Sequence, residues 1–230
     1  MNNTVLHLVR KNTQLKASFI QNQVLNHIEF EPKVIFYENR SSNLDGGFAS
    51  ALPSNVLVHE LEKKYTFLEK VQYKILKQIN GISSTDLLNQ VKQINPQIIH
   101  LHYGTDAGLY LKTLRNLNIP KVVSFYGYEC SGFPKRFLGL GKYYLKYRTF
   151  KYADKIIAMS EDMKNDLIEI GCPEKKIIVH YHGAKVKRFK ATHNYKQQAI
   201  VSFLIISGFA AQKGHVFLLK SFKKALKFNA

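Results

Sequence analysis

Two polar clusters in the middle of the sequence follow short apolar runs, and both suit the binding of a polar ligand. The first comprises His100, His102, Tyr103 and Gly104. Histidines two positions apart on a strand point to the same face, so their imidazoles can share one ligand. A metal ion is possible, but no third ligand stands at metal-site spacing. We therefore predict no metal and favour hydrogen bonding to a sugar or phosphate.

The second cluster comprises Tyr126, Gly127, Tyr128 and Glu129. Gly127 lets the backbone approach a ligand or take a positive φ. The Glu129 carboxylate can orient a hydroxyl group or act as a base. The alternative interpretation is a solvated turn after a strand.

Two further clusters suit an anion. Ser160 and Glu161 stand at the start of a predicted helix, where Ser160 can cap the helix and free backbone N–H groups can bind a phosphate. A turn over residues 207–214 contains Gly208, Lys213 and Gly214 before another predicted helix, and it is either a phosphate site or a plain turn. It lacks the Walker spacing, and the sequence contains no GxGxxG, which argues against an ordinary dinucleotide dehydrogenase.

Residues 134–155, the basic aromatic segment, combine seven basic residues with a single acid, Asp154, and many tyrosines and phenylalanines. Such a pattern is typical of a helix on an anionic membrane surface. A core helix with a solvated outer face is the alternative, and nucleic acid is a third possibility that no recognisable motif supports. The basic residues are Lys135, Arg136, Lys142, Lys146, Arg148, Lys151 and Lys155.

Seven short apolar runs can supply the strands that position these clusters. No hairpin turns separate them, and residues 97–125 read as strand, helix and strand, which favours an open, doubly wound, parallel α/β sheet. Ligands of such sheets bind beyond the carboxyl ends of the strands. The predicted strands are residues 4–9, 33–37, 55–59, 97–102, 121–125, 155–159 and 176–179.

Helical patterns connect these strands, and a new unit follows a polar connection. Ser18 is predicted to cap the first helix. After the connection, an apolar run over residues 199–206 is predicted to be a strand and residues 215–228 a helix. The predicted helices of the first unit are residues 18–28, 61–79, 84–94, 105–117, 133–153 and 160–170.

Composition narrows the class of protein. The 230 residues are 45% hydrophobic, enough for a core, and carry a net charge of +18, which favours an anionic partner or reflects a lysine-rich genome. Cys130 and Cys172 have no metal-ligand spacing, which suggests a reducing compartment. The start lacks the pattern of a signal peptide, and no apolar run reaches the length of a membrane span.

The clusters occur in an order that resembles the glycosyltransferases of family 4, which have the GT-B architecture of two facing Rossmann-like domains. The similarity is strongest to the branch that builds bacterial exopolysaccharide, colanic acid and lipopolysaccharide. The matching pieces are residues 17–20 with Gln23, residues 99–104, 123–129, 153–161 and 171–177, then His182, Gly183 and Phe189, and finally residues 213–215.

The resemblance implies transfer of a sugar from a nucleotide-sugar to a polysaccharide or lipid-linked acceptor, with retention and without a metal or other cofactor. It implies an acceptor-side Rossmann-like domain over residues 1–187, a linker over 188–199 and the start of a truncated nucleotide-sugar-binding domain over 200–230. It assigns catalysis to Tyr126 and Glu129. The acceptor would contact Ser18, His102, Tyr103, Gly104, Gly127, Tyr128, Ser160 and Glu161, and the donor diphosphate would contact Gly208, Lys213 and Gly214.

The sequence departs from the family in three ways. Tyr126 stands where histidine is usual, and Glu129 where aspartate is usual. Gly208 replaces an arginine that holds the donor diphosphate. The chain is also shorter than such enzymes and lacks their paired glutamates, so we expect it to have no turnover alone.

We expect a cytoplasmic protein at the inner face of the cell membrane, held there by Lys142, Lys146, Arg148 and Lys151. Two alternatives remain open. One is a non-catalytic, membrane-associated partner of a complete transferase. The other is a basic nucleic-acid-binding α/β module, which only the charge supports and which steep salt dependence of binding would favour.

Overall fold

The structure is a computed structural model that describes residues 3–40, 52–63, 66–79, 81–136, 138–183, 186, 202–209 and 211–228. The chain divides into two compact units, Met1–Ala184 and Lys185–Ala230. The predicted linker over residues 188–199, and residue 187 before it, lie outside the described residues.

Seven parallel strands form one sheet in the order β3-β2-β1-β4-β5-β6-β7. The apolar runs form these strands because both faces of a parallel sheet are buried, which favours nearly continuous Val, Ile and Leu. The predicted parallel Rossmann-like sheet is thereby confirmed. The strands are β1 (Asn3–Lys11), β2 (Phe30–Glu38), β3 (Leu57–Glu60), β4 (Ile98–His102), β5 (Lys121–Ser124), β6 (Lys155–Ala158) and β7 (Ile177–Val179).

Helices and single helical turns connect the strands. Short 3-10 turns lie at Asn12–Lys16, Phe133–Lys135 and Glu174–Lys176, and a π-helix spans Leu145–Phe150. The α-helices of the first unit are α1 (Ser18–Leu25), α2 (Phe67–Leu76), α3 (Gly81–Ile94), α4 (Gly104–Leu114), α5 (Tyr128–Ser131), α6 (Gly141–Tyr144) and α7 (Glu161–Glu169).

The two faces of the sheet carry separate cores because successive side chains of a strand alternate between faces. Leu6 and Leu8 of β1 pack in the larger cluster, with residues of α3, α4 and α7. Val9 of β1 packs in the smaller cluster, with Ile20 and Val24 of α1. His7 shares the parity of Val9 and therefore belongs to the α1 face.

Three helix predictions need correction. Ala17 occupies the cap position of α1 without a side-chain hydrogen bond, so Ser18 is the first helical residue and not the cap. The helix predicted over residues 61–79 is confined to α2. The helix predicted over residues 84–94 begins earlier, at Gly81, the first residue of α3.

The single helix predicted over residues 133–153 is wrong. The preceding 3-10 turn ends before Arg136, which is extended, and Leu138 and Gly139 then have φ of 56° and 88°. At Gly141 a Cβ atom would lie 2.0 Å from the Phe133 carbonyl oxygen, so the chain doubles back there before α6 and the π-helix begin. The prediction of a helix is correct for residues 141–150, but the chain around Gly139 and Gly141 separates this helical part from the 3-10 turn before it.

The second unit contains a 3-10 turn at Ala211–Lys213 and the predicted helix, here α8 (His215–Phe228). The strand predicted over residues 199–206 is wrong for its described part, because residues 202–206 form no strand. Phe203, Leu204 and Ile206 are largely exposed there. A strand needs a hydrogen-bonding neighbour, and none pairs with this run within the described residues. Across the described ranges, no helix is both long enough and apolar enough to cross a bilayer.

Candidate functional site

The candidate site lies at the carboxyl edge of the sheet, where its strand order reverses direction. The chain winds outwards from β1 to β2 and β3 on one side, and from β4 to β7 on the other. A crevice opens at such a reversal, and ligands of α/β sheets bind there. The exits of β4 and β5, which carry the two central polar clusters, are hydrogen-bonded neighbours in the sheet.

Glu129 joins these two exits. Its Oε1 accepts a hydrogen bond from the Gly104 N–H at 3.1 Å, and its Oε2 accepts one from the Tyr126 N–H at 3.3 Å. The residue is 1% exposed, and burial raises the pKa of its carboxyl group to about 7, although the backbone hydrogen bonds oppose the shift. Glu129 thus positions the backbone of both turns, while its predicted catalytic role stays a prediction.

Gly104 occupies a position that admits no side chain. A Cβ atom there would lie 2.0 Å from the Phe125 ring, and the Gly104 carbonyl accepts a hydrogen bond from Thr149 Oγ1 at 2.7 Å. The preceding Tyr103 has a φ of 64°, which is unusual for a residue with a side chain. These contacts hold the turn after β4 in one conformation.

Tyr126 and His102 meet above this turn. The Tyr126 hydroxyl lies 2.6 Å from His102 Nδ1, and Gln23 Nε2 donates to the same hydroxyl at 3.4 Å. Burial raises the pKa of Tyr126 and, with neighbouring histidines, lowers the pKa of His102 well below its usual value. The hydrogen bond therefore joins an uncharged phenol and an uncharged imidazole.

Four rings contact one another beside the exits of β4 and β5 and are called the aromatic wall: Phe19, Tyr103, Tyr126 and His182. Ring centroids of Phe19 and Tyr103 both lie 4.7 Å from that of Tyr126. His182 stacks on Tyr126 at 5.5 Å with an interplanar angle of 7°. Such amphipathic rings present flat apolar faces and polar edges to a ligand.

A cluster of four histidines lies beneath Tyr126 and is called the histidine cluster: His7, His27, His100 and His102. His7 Nδ1 lies 2.9 Å from His102 Nε2, and His7 Nε2 lies 2.9 Å from His27 Nε2. His7, His100 and His102 are buried, and each offers one ligand atom within 4.8 Å of the others. These three residues could hold a metal ion.

Sequence reasoning missed His7 and His27. His7 pairs with His100 across β1 and β4, but 93 residues separate their places in the chain. The available signal was a polar residue, His7, within an otherwise apolar strand. It becomes informative only once β1 and β4 are known to be neighbours, because the strand alternation then places His7 beside His100. Burial lowers the pKa of His100 to about 4, so this imidazole is uncharged near neutral pH.

The remaining predicted residues of the first unit are more peripheral. Ser18 and Tyr128 are exposed, and Gly127 has a φ of 121° at the start of α5. Ser160 accepts a hydrogen bond from the Met163 N–H at 3.1 Å and caps α7, as predicted. Glu161 is exposed in the first turn of α7, and no hydrogen bond joins either residue to the aromatic wall.

The predicted donor residues lie in the second unit. Gly208 and Lys213 are exposed, and Gly214 has a φ of 72° immediately before α8. The Gly214 N–H donates to the Ala211 carbonyl at 3.1 Å, and Ser207 Oγ lies 3.1 Å from His215 Nε2. The turn is therefore internally hydrogen-bonded, and binding of a diphosphate there remains a prediction.

The basic aromatic segment presents part of its charge to solvent. Lys142, Lys146 and Lys151 are exposed, whereas Arg148 is half-buried and donates to Gln78 Oε1 at 3.2 Å. Tyr143 and Tyr147 are 45% and 57% exposed beside these lysines, while Leu145, Thr149 and Phe150 face the core. The π-helix thus has the apolar inner face and basic outer face of a surface helix.

Solved structures with a similar fold include nucleotide-sugar proteins. One is Anabaena Alr3699/HepE in complex with UDP-glucose, with a TM-score of 0.54 and 12% identity over 80% of this chain and 45% of that chain. Another is UDP-GlcNAc 2-epimerase from Neisseria meningitidis bound to UDP-GlcNAc, with a TM-score of 0.52 and 15% identity over 76% and 46%. At these identities the likeness shows the fold alone, and this chain spans less than half the length of either protein.

A comparison with curated proteins finds no significant match. The sequence profile described as Glycosyltransferase Family 4 matches residues 31–188, which include β2 to β7, Tyr126 and Glu129. The match covers well over half of the chain and agrees with the parallel sheet and with the GT-B folds of its structural neighbours. The chain therefore belongs to glycosyltransferase family 4.

Proposed function

We propose that the first unit binds the sugar acceptor of a retaining glycosyltransferase that uses a nucleotide-sugar donor. The acceptor is a polysaccharide or a lipid-linked oligosaccharide. The observation that carries this proposal is the aromatic wall at the strand-order reversal, above the exits of β4 and β5. Membership of glycosyltransferase family 4 supports the reaction class.

The aromatic wall suits a carbohydrate. The apolar face of a pyranose packs on aromatic rings, while its hydroxyl groups need hydrogen-bonding partners at the ring edges. Such groups are present on three neighbouring side chains. The Gln23 amide nitrogen lies 3.4 Å from the Tyr126 hydroxyl and 3.4 Å from His182 Nδ1. Tyr126 would orient the reacting hydroxyl, and Glu129 would act through the backbone of Tyr126 and Gly104.

The donor would be a nucleotide-sugar. Structural neighbours in complex with UDP-glucose and UDP-GlcNAc support this choice. The turn with Gly208, Lys213 and Gly214 would then contact the diphosphate, since it precedes the N-terminus of α8 and carries a positive charge. Positioning of donor against acceptor can supply roughly 7–11 kcal/mol of a reaction barrier, so both parts are needed for turnover.

The basic aromatic segment supports a place at the membrane. Its exposed lysines and tyrosines suit an anionic surface, and a lipid-linked acceptor is presented at such a surface. We therefore place the protein in the cytoplasm, peripherally bound to the inner face of the cell membrane.

The test is acceptor binding by the isolated chain. Bacterial oligosaccharide fragments titrated into labelled protein should shift the NMR signals of Phe19, Tyr103 and Tyr126. Tyr126→Phe removes a hydroxyl with two hydrogen bonds and should weaken binding about 5- to 10-fold, the equivalent of roughly 1 kcal/mol. Tyr128→Phe, on an exposed side chain beside it, is the matched control and should leave affinity unchanged. If every fragment that binds has the same affinity for the wild-type chain and for Tyr126→Phe, the proposed site is wrong.

A further inference from the structure

We propose that His7, His100 and His102 form a binding site for a zinc-type divalent metal ion beneath the acceptor crevice. Of the three ligands, only His102 was predicted from the family resemblance to contact the acceptor, whereas the resemblance assigned His7 and His100 no contact with acceptor or donor. The proposal replaces the expectation of no metal, which rested on residue spacing within one strand.

The first argument is convergence. His7 on β1 and His100 on β4 are partners in the parallel register, and His102 stands two residues further on the same face. Their ligand atoms all lie within 4.8 Å of one another. Tetrahedral zinc with nitrogen ligands at about 2.05 Å separates those nitrogens by about 3.4 Å. The 2.9 Å between His7 Nδ1 and His102 Nε2 must therefore widen by roughly half an ångström.

The second argument is the outer partner of each ring. His7 Nε2 lies 2.9 Å from His27, His100 Nε2 lies 2.8 Å from Ser124 Oγ, and His102 Nδ1 lies 2.6 Å from the Tyr126 hydroxyl. Metal-bound histidines in proteins use their second nitrogen in this way, because the outer hydrogen bond fixes the tautomer and the ring orientation. Each of the three rings thus has one nitrogen held by an outer neighbour, and the inner nitrogens of His7 and His102 lie 2.9 Å from each other, a contact that a metal ion would replace.

The third argument is charge. Only an uncharged imidazole coordinates a metal, so protonated histidines must first lose a proton. Burial, together with the neighbouring histidines, keeps the pKa of His7 and His102 well below the usual value. Because His7 Nδ1 and His102 Nε2 lie within hydrogen-bond distance of each other, the proton between them must move to an outer nitrogen before both can bind a metal.

The metal would have a defined effect on Tyr126. Coordination through His102 Nε2 leaves its proton on Nδ1, which must then donate to the Tyr126 oxygen. The hydroxyl proton of Tyr126 is thereby free to point towards the crevice. The metal would also cross-link β1 and β4 below the aromatic wall.

The experiment uses the full 230-residue chain without an affinity tag and after treatment with a chelator. Calorimetric titration with ZnCl₂ should give one equivalent, and Co²⁺ should give the intense visible bands of a tetrahedral site. His7→Gln and His100→Gln should each weaken binding by about 100-fold or more, because loss of an outer partner of a ligand alone costs roughly 10- to 100-fold and these variants remove a ligand. His180→Gln is the matched control, because His180 is exposed and follows β7.

A measurement on the unmodified chain guards against variants that fail to fold. With ¹⁵N-labelled histidine, one equivalent of Zn²⁺ should shift the ring nitrogens of His7, His100 and His102. Loss of binding in His180→Gln, shifts confined to exposed histidines, or no stoichiometric binding of Zn²⁺ or Co²⁺ would each overturn the proposal.

Discussion

The Glu129 carboxylate accepts a hydrogen bond of 3.1 Å from the backbone N–H of Gly104. Glu129 is buried, and this bond connects the exits of two neighbouring strands. Its other oxygen holds the Tyr126 N–H. The turns after β4 and β5 are thus joined by one titratable group. We therefore expect these turns to depend on the protonation state of Glu129 in addition to packing.

The stability of the chain should depend on the ionisation of Glu129. Its folded pKa of about 7 lies above the ordinary value of 4.5, so the folded state binds more protons between these limits. Stability from this group is therefore fully present below pH 4.5 and is lost as pH rises towards 7, by on the order of 3 kcal/mol. Glu129→Gln should remove this loss.

Urea denaturation at pH 5 and pH 7.5 measures the effect as a difference between wild type and Glu129→Gln. Glu161→Gln, on an exposed carboxylate at the start of α7, is the control and should follow the wild-type pH dependence. The same pH dependence in wild type and Glu129→Gln would show that the Glu129 carboxyl titrates normally.

Gly104→Ala should destabilise the fold. The added methyl group would overlap the buried Phe125 ring, with the closest atom at 2.0 Å. Overpacking of this kind costs roughly 1–3 kcal/mol, and Phe125 is 0% exposed and cannot swing away. Gly81→Ala also lies in the first position of a helix but has open space around it, so it should change stability by less than about 1 kcal/mol. Equal unfolding midpoints in urea for the two variants would contradict this account of Gly104.

The basic aromatic segment should bind anionic vesicles. Reversing two exposed charges with Lys142→Glu and Lys146→Glu should weaken sedimentation with phosphatidylglycerol vesicles at least 10-fold, because each basic residue near the surface contributes about 1 kcal/mol. Lys92→Glu with Lys112→Glu, on α3 and α4, supplies the same change in net charge elsewhere on the protein. Binding should also fade with salt. Equal binding to neutral vesicles, or equal loss in both double variants, would contradict a docking role for this segment.

The 230-residue chain alone should transfer no sugar. Among its described residues, the second unit offers one 3-10 turn and one helix to a nucleotide-sugar, and Gly208 brings no charge to a diphosphate. Purified chain should give no product with a panel of nucleotide-sugars and lipid-linked acceptors, and calorimetry should detect no micromolar donor affinity. Measurable sugar transfer or micromolar donor affinity would show that the donor site does not depend on the turn at Gly208 alone.

Much of the first unit could be predicted because local patterns determine it. Apolar runs locate the strands, and Ser160 indicates the start of α7, because a capping hydroxyl accepts a hydrogen bond from a backbone N–H only a few residues away. Residues 97–125 were predicted as strand, helix and strand of a parallel sheet, and consecutive strands of this kind are often neighbours. β4 and β5 do pair, which brings the exits with His102 and Tyr126 together.

The errors arise where the decisive contact is distant or absent. His7 meets His100 only through the pairing of β1 with β4, which no local pattern contains. The predicted aromatic helix is interrupted before Gly141, which packs closely against the Phe133 carbonyl, a contact that periodicity does not reveal. Residues 202–206 have strand-like composition, but composition alone cannot supply a neighbouring strand.

The π-helix at Leu145–Phe150 also has an inward role. Thr149 Oγ1 donates to the Gly104 carbonyl at 2.7 Å, and Tyr144 at its start donates to the Thr105 carbonyl at 2.9 Å. The outer surface of the same short segment carries Lys146 and Tyr147. The segment therefore meets solvent with one face and holds the first turn of α4 with the other, so a surface that binds its outer face would contact the same short segment that supports Gly104 and Thr105.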